Sequence, residues 1–205
     1  MVGRTPDSYR NFAELARHEV AGRDFVIEYI DRGSNVLVMA PHGGKIEPKT
    51  SEMARSVAGN DLSFYTFAGM KQTDNRRLHI TSSAFDERTA LTAAGRAEVV
   101  LTVHGHMDPN EAFVMVGGLH SELIARLGTG LDMSGFKVRP PEGGKRGIQH
   151  SNICNRGRTG RGVQLEISRK AREDICHDLG LMAGFVAAVR GPLVDMGRRG
   201  QAGPR

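Results

Sequence analysis

Apolar residues fall along this chain in short runs that end in glycine, separated by stretches with helical spacing. Residues 25–30 and 36–40 read as two strands joined by the turn residues at 31–35. Residues 62–67 alternate as a half-buried strand does, and 99–103 form a continuous apolar run. Further strands are predicted at 112–116, near 136–138 and at 162–168, with a short apolar piece around His79. Helices fit between them. One spans 7–19, with Asp7 or Ser8 as N-cap; others run from Thr50 and Ser51 through Val57, near 86–96, and over 120–127. Two more close the chain, around 169–176 and 178–189. This alternation predicts an α/β protein: a three-layer α/β/α sandwich on a mixed, mainly parallel sheet. The polar stretch 69–77 and the Gly-, Pro-, Arg- and Lys-rich stretch 128–162 are left as loops, and the length of the second marks it as functional.

Composition narrows the picture. At 205 residues, 39% hydrophobic and 25% charged, the chain is globular rather than disordered, and one domain holds it. Residues 1–196 are read as a single catalytic α/β domain and 197–205 as a basic, flexible tail. No apolar stretch is read as long enough for a membrane span, and residues 1–17 are too polar for a signal segment. Two cysteines, Cys154 and Cys176, make no disulfide framework and are read as buried small hydrophobes. A cytoplasmic location follows as the default, with release on lysis left open. The net charge of +5 lies partly in the tail; the rest gathers at Lys71, Arg76, Arg77, Lys145, Arg146, Arg156, Arg158 and Arg161. Such a cluster favours an anionic ligand: a polycarboxylate, a phosphate or nucleic acid. A nucleic-acid-binding role, as in a phage replication accessory protein, is disfavoured because aromatics are 5% with no tryptophan, so stacking platforms are scarce.

The candidate chemistry sits where apolar runs end. The run 36–40 opens into Pro41-His42-Gly43-Gly44-Lys45-Ile46-Glu47, and the run 99–103 ends at His104-Gly105-His106. Open α/β sheets build sites outside the carboxyl ends of their strands. Two histidines delivered there, with a carboxylate beside the first, can assemble the His/Glu/His set of a catalytic zinc ion. The ordinary alternatives are a solvated strand-end loop for His42 and Glu47 and a surface turn for His104 and His106. His104 is preferred over His106 because it follows the strand directly; Asp108 is a weaker substitute ligand. Glu166, between apolar neighbours in the strand 162–168, is a general base if it faces the metal, and a solvated group on an edge strand, with Gln164, if it does not. His79 and the group Asn152, Asn155 and Arg156 read either as carboxylate binders or as a core histidine and a polar loop.

Taken in order, these blocks resemble the phage-type poly-γ-glutamate hydrolases, a zinc peptidase family related to the metallocarboxypeptidases. The resemblance rests on Ala40-Pro41-His42-Gly43-Gly44-Lys45-Ile46-Glu47-Pro48 with Thr50-Ser51-Glu52, on Leu78-His79-Ile80-Thr81-Ser82 with Phe85-Asp86-Glu87, and on Thr102-Val103-His104-Gly105. Asn152-Ile153-Cys154-Asn155-Arg156 and Gly162-Val163-Gln164-Leu165-Glu166-Ile167-Ser168 complete it. It implies a carboxypeptidase-like core, zinc held by His42, Glu47 and His104, and Glu166 as the catalytic carboxylate. By analogy Lys45, His79, Asn155 and Arg156 would meet an anionic polypeptide. The function expected is cleavage of γ-glutamyl amide bonds in poly-γ-glutamate or a related substrate. A zinc amidase acting on peptidoglycan fragments or acylated small molecules is the rival enzyme.

Overall fold

The computed structural model describes residues 7–201. Its strands are β1 (Phe25–Ile30), β2 (Val36–Gly44), β3 (Ser63–Gly69), β4 (Val99–His106), β5 (Val114–Gly118), β6 (Val138–Arg139) and β7 (Val163–Ser168). Its helices are α1 (Phe12–Leu15), α2 (Thr50–Ala58), α3 (Arg88–Arg96), α4 (Ser121–Met133), α5 (Arg169–His177) and α6 (Leu179–Gln201). All seven strands join one sheet in the order β1-β3-β2-β4-β7-β5-β6. β3, β2, β4 and β7 run parallel to one another, while β1 and β5 attach to β3 and β7 antiparallel. The sheet is therefore mixed and mainly parallel, as expected.

Both faces of the central strands are covered, which is why they read as unbroken apolar runs. Val36, Val38 and Ala40 of β2 pack with Leu101, Val103, Leu165 and Ile167 into a core that also holds residues of α2, α4, α5 and α6. Leu37 and Met39 point the other way, to Phe67, Leu78, Ile80, Phe85 and the alanines of α3. The chain leaves β2 for β3 on one side, whereas β4 leads to β5 and beyond on the other. Adjacent β2 and β4 thus flank the switch point of the sheet, the crevice where such folds bind ligands.

Four elements differ from expectation, each for a local reason. The first helix is only the turn Phe12–Leu15, capped by the Asn11 side chain on Glu14 N; Asp7 stays outside it and is used elsewhere. β2 continues through Pro41 and His42 to Gly44, accommodated by a register shift against β3 between Ala40 and Gly43. α4 runs past Gly128 and Gly130 because Leu127 and Leu131 extend its apolar face, and at Gly130 the backbone of α6 passes so close that a Cβ would stand 3.0 Å from Ala188 O. α6 runs through Pro192 to Gln201, although proline removes a helix donor. Phe185, Val189 and Leu193, all buried, hold it to the core. Residues 197–201 of the expected flexible tail therefore continue a helix, and 202–205 lie outside the described residues. Within α6, Leu179–Gly197 is long and apolar enough to cross a membrane, contrary to the expectation that no stretch is. Here it is docked on α2, α4 and α5, and its Arg190 reaches Val57 O and Asp61.

Leu101 sits fully buried at the centre of the larger core. Leu101→Ala should cost about 2–5 kcal/mol. The expected readout is a lower urea midpoint with an unchanged slope, the signature of lost stability rather than altered compactness.

Candidate metal centre

The loop after β2 is wound tightly. Glu47 N donates to His42 O at 2.9 Å, Thr50 Oγ1 donates to Glu47 O at 2.8 Å, and Lys45 N donates to Gly69 O at 3.0 Å. Gly44 takes φ +60° with its Cα against the Gly69 backbone, a place no side chain fits. These bonds turn the Glu47 carboxylate back over the end of β2. Its Oε2 also accepts from Gly105 N at 2.8 Å, so β4 fixes it as well.

Donor atoms converge there. His42 Nδ1 stands 3.1 Å from His104 Nδ1 and 3.4 Å from Glu47 Oε1, and His104 Nδ1 stands 3.7 Å from Glu47 Oε2. Ligands about 2.0–2.1 Å from a tetrahedral zinc ion stand about 3.3 Å apart, so the spacing fits one shared cation. The chemistry of the ring nitrogens agrees. His42 Nε2 lies 2.7 Å from Ile80 O, which can only accept, so that nitrogen carries the proton and Nδ1 presents its lone pair to the cluster. A backbone carbonyl orienting a histidine in this way is the usual support of a metal ligand. All three residues are buried.

A fourth group borders them. His79 Nδ1 donates to Asp7 Oδ1 at 2.7 Å, Thr81 N donates to Asp7 Oδ2 at 2.6 Å, and the ring stacks on His42 with centroids 4.0 Å apart. Its Nε2, bare in this tautomer, faces Glu47 Oε1 at 3.7 Å. His42, Glu47 and His79 also offer donor atoms that all lie within 4.8 Å of one another. The site therefore holds three buried imidazoles around one carboxylate. Burial and the neighbouring His42 press the His79 pKa down to about 4, so the ring is neutral at pH 7.

The two nearby glutamates experience opposite fields. Burial alone would push the Glu47 carboxyl up, but His42 and His104, when they carry a proton toward it, outweigh burial and hold the group well below the usual carboxylate range. Glu166 pairs in register with His104 across β4 and β7, and burial raises its carboxyl, with His104 only partly opposing. β7 is an interior strand between β4 and β5, so the edge-strand alternative for Glu166 and Gln164 does not hold.

The other expected site residues fare differently. Lys45 is exposed, with Nζ on Lys71 O at 3.1 Å, and Arg156 is exposed at the end of a 3-10 turn, Ile153–Asn155. Asn155, expected to meet substrate, is buried instead. Its amide donates to Gly147 O at 2.7 Å and Gln149 O at 2.9 Å and accepts from Gly162 N at 3.0 Å, mooring the long loop. Asn152 and Gln164 extend that network: Asn152 Nδ2 donates to Gln164 Oε1, and Gln164 Nε2 to Lys145 O. His106 Nδ1 accepts from Asp108 N, while Asp108 Oδ1 caps Asn110 N and Glu111 N in a turn. Cys154 is a buried thiol pushed up to about 12 by that burial, in line with a packing role.

Sequence reasoning missed Asp7, Ser82 and Arg172. Asp7 was taken for a helix cap. Ser82 Oγ lies 3.4 Å from His104 Nε2 in a stretch with no periodicity to place it. Arg172 did leave a signal: it falls beside Ala171 and three residues before Ile175, on the apolar face of α5.

Comparison with known proteins shows the family. The family described as Poly-gamma-glutamate hydrolase matches residues 9–184, and the chain belongs to that family. It is 39% identical over 176 residues to UPF0714 protein YmaC of Bacillus subtilis (strain 168), covering 84% of this chain and 74% of the relative. Among solved structures, a bacteriophage poly-gamma-glutamate hydrolase superposes with TM-score 0.88 at 28% identity, over 93% of this chain and 98% of that one. A zinc-free structure of YndL superposes with TM-score 0.86 at 32% identity, over 93% and 99%.

Two outcomes follow. Asn155→Ala leaves the Gly147 and Gln149 carbonyls unpaired and should cost about 1–3 kcal/mol of stability, seen in denaturant titration; a change in KM alone would contradict the mooring role. Glu166 has a folded pKa above its ordinary value, so its neutral form is favoured in the fold. That contribution is complete below pH 4.5 and is lost as pH rises through the folded value. Glu166→Gln should therefore raise the thermal midpoint of metal-stripped protein at neutral pH and leave it unchanged in acid.

Proposed function

We propose that this protein is a zinc-dependent hydrolase that cleaves γ-glutamyl amide bonds of poly-γ-glutamate or a closely related anionic chain. The observation that carries the reading is the spacing of His42 Nδ1, His104 Nδ1 and the Glu47 carboxylate, at 3.1, 3.4 and 3.7 Å, in a chain of this family. Three protein ligands and one open position are the pattern of catalytic zinc sites. His104 is preferred to His79 as the third ligand because its Nδ1 lies 3.1 Å from His42 Nδ1 and 3.7 Å from Glu47 Oε2, whereas His79 lays its ring face against His42 and turns only Nε2 toward Glu47 Oε1, at 3.7 Å. His79, oriented by Asp7, then borders the site as a neutral imidazole beside the metal-bound carboxylate and can accept a hydrogen bond from substrate or solvent.

Zinc bound there supplies Lewis acidity and a water whose pKa falls to about 7. Glu166 takes the proton of the attacking water and returns it to the departing amine nitrogen. Its raised proton affinity suits both transfers, since a base far below neutrality would hold the proton too weakly to deliver it. Exposed Lys45, on the loop that carries Glu47, supplies positive charge toward the carboxylates of the polymer. This electrostatic draw is screened by salt, with a Debye length of about 10 Å at 0.1 M.

Glu166→Gln should abolish polymer cleavage while zinc stays bound, and His42→Ala should lose the zinc itself, by elemental analysis of dialysed protein. Polymer viscosity with and without chelator reports the activity, which should also decline as ionic strength rises. Near-normal turnover by Glu166→Gln removes the assigned base; turnover that survives complete zinc removal removes the metal.

A further inference from the structure

Arg172 is a buried guanidinium directly behind the metal centre, 3% exposed. Its Nε donates to Pro48 O at 2.8 Å; its Nη1 donates to Ile167 O at 2.6 Å and to His106 O at 3.2 Å. The three carbonyls belong to three separate segments. Pro48 follows Glu47 in the loop after β2, His106 lies two residues beyond His104 at the end of β4, and Ile167 follows Glu166 on β7. One side chain from α5 therefore touches the backbone beside three of the residues that the proposed chemistry uses.

The chain makes room for this contact at a cost. Burying a guanidinium is expensive; among the described residues no carboxylate lies within ion-pair distance of Arg172, and Glu47, Glu166 and Glu173 offset the burial only in part and from farther away. The packing of α5 does not need a cation there, since Ala171 and Ile175 already supply its apolar contact. Gly105, between the two histidines of β4, is what lets the fork lie flat: a Cβ there would stand 2.3 Å from Arg172 Nη1 and 2.9 Å from Glu47 Cβ. The same glycine donates its N–H to Glu47 Oε2. Guanidinium and Glu47 thus both pack against the space beside Gly105 that a side chain would fill.

We infer that Arg172 is a positioning residue for the metal centre, its guanidinium tying the backbone behind Glu47, His104 and Glu166 into one unit so that the donor atoms stand at bonding distance before the ion arrives. The inference rests on the zinc reading above. It requires the planar fork and not merely the charge: lysine keeps the charge but ends in a single nitrogen that cannot span the three carbonyls from this position.

The test measures zinc affinity, by competition with a chromophoric chelator, and thermal unfolding of metal-free protein. The proteins compared are wild type, Arg172→Lys, Arg172→Met and, as a control, Ile175→Ala, which removes a buried apolar side chain from the same helix. Both Arg172 variants are expected to bind zinc roughly ten- to a hundredfold more weakly, the usual effect of removing an outer partner of a metal ligand. Ile175→Ala is expected to lower the thermal midpoint with zinc affinity unchanged. The inference is overturned if either Arg172 variant binds zinc as tightly as wild type, which includes rescue by lysine, or if Ile175→Ala loses zinc equally. If Arg172→Met fails to fold, Arg172→Lys decides alone; if neither folds, Arg172 is a general requirement of the core and the positioning role is refuted. Wild-type protein that takes up no zinc refutes the metal reading itself, a result distinct from all of these.

Discussion

Lone pairs that face one another at close range repel unless a proton or a cation lies among them, and the centre of this protein is built on that constraint. His42 turns its bare Nδ1 inward because Ile80 O has claimed its proton-bearing nitrogen, and the Glu47 carboxylate faces the same point. His79 adds a third inward lone pair, its proton held by Asp7. Burial excludes the water that would otherwise solvate them. Such a cluster is costly when empty and favourable around a divalent ion, so its stability is linked to metal binding. Each orienting partner, whether carbonyl, carboxylate or backbone N–H, acts by keeping a lone pair aimed inward.

The fold meets the constraint through topology. β2 and β4 are parallel neighbours at the point where chain connections diverge, which opens a crevice between their carboxyl ends. Ligands from the two strands therefore approach from adjacent walls, while β7 brings Glu166 into register with His104 one strand further on. The face of β4 and β7 that carries Thr102, His104, Gln164 and Glu166 is not roofed by a helix. It is covered by the long loop, held down through the buried amides of Asn152, Asn155 and Gln164. The amide network thus keeps a polar wall standing at the site without filling it with apolar side chains.

Much of this was legible in the chain, in proportion to how local the signal was. The strands and their order of helices followed from runs such as 99–103, and His42, Glu47 and His104 were legible because each sits where an apolar run ends. Asp7 was not, since its partner His79 lies 72 residues away and nothing in the N-terminal segment announces the pairing. Asn155 was left open between a substrate contact and a polar loop for a different reason. Sequence shows that a side chain is polar, but not whether it turns outward to substrate or inward to backbone carbonyls, and Asn155 turns inward. The last helix, expected over 178–189, continues through Pro192 because buried Val189 and Leu193 pack it onward against the core. Arg172 lay between these cases: periodicity places it on the inner face of α5, and only the positions of Pro48, His106 and Ile167 reveal what it does there.

The two glutamates make the division of labour physical. Both are carboxylates in one poorly hydrated site, and by composition they are interchangeable. Glu47 has histidines on two sides and a backbone donor on its Oε2, so its carboxyl is held well below the usual carboxylate range, which suits the proposed ligand role. Glu166 has apolar strand neighbours, one long contact of 3.3 Å from Gln164 Nε2, and the charge of Glu47 nearby, so its proton is held more tightly. Environments that drive two like groups apart in proton affinity are how a site separates a permanent anion from a proton carrier. A bound cation would lower both affinities, the nearer one most, which preserves their order. The proposed assignment of Glu47 to the metal and Glu166 to the proton therefore does not depend on which divalent ion the site would take.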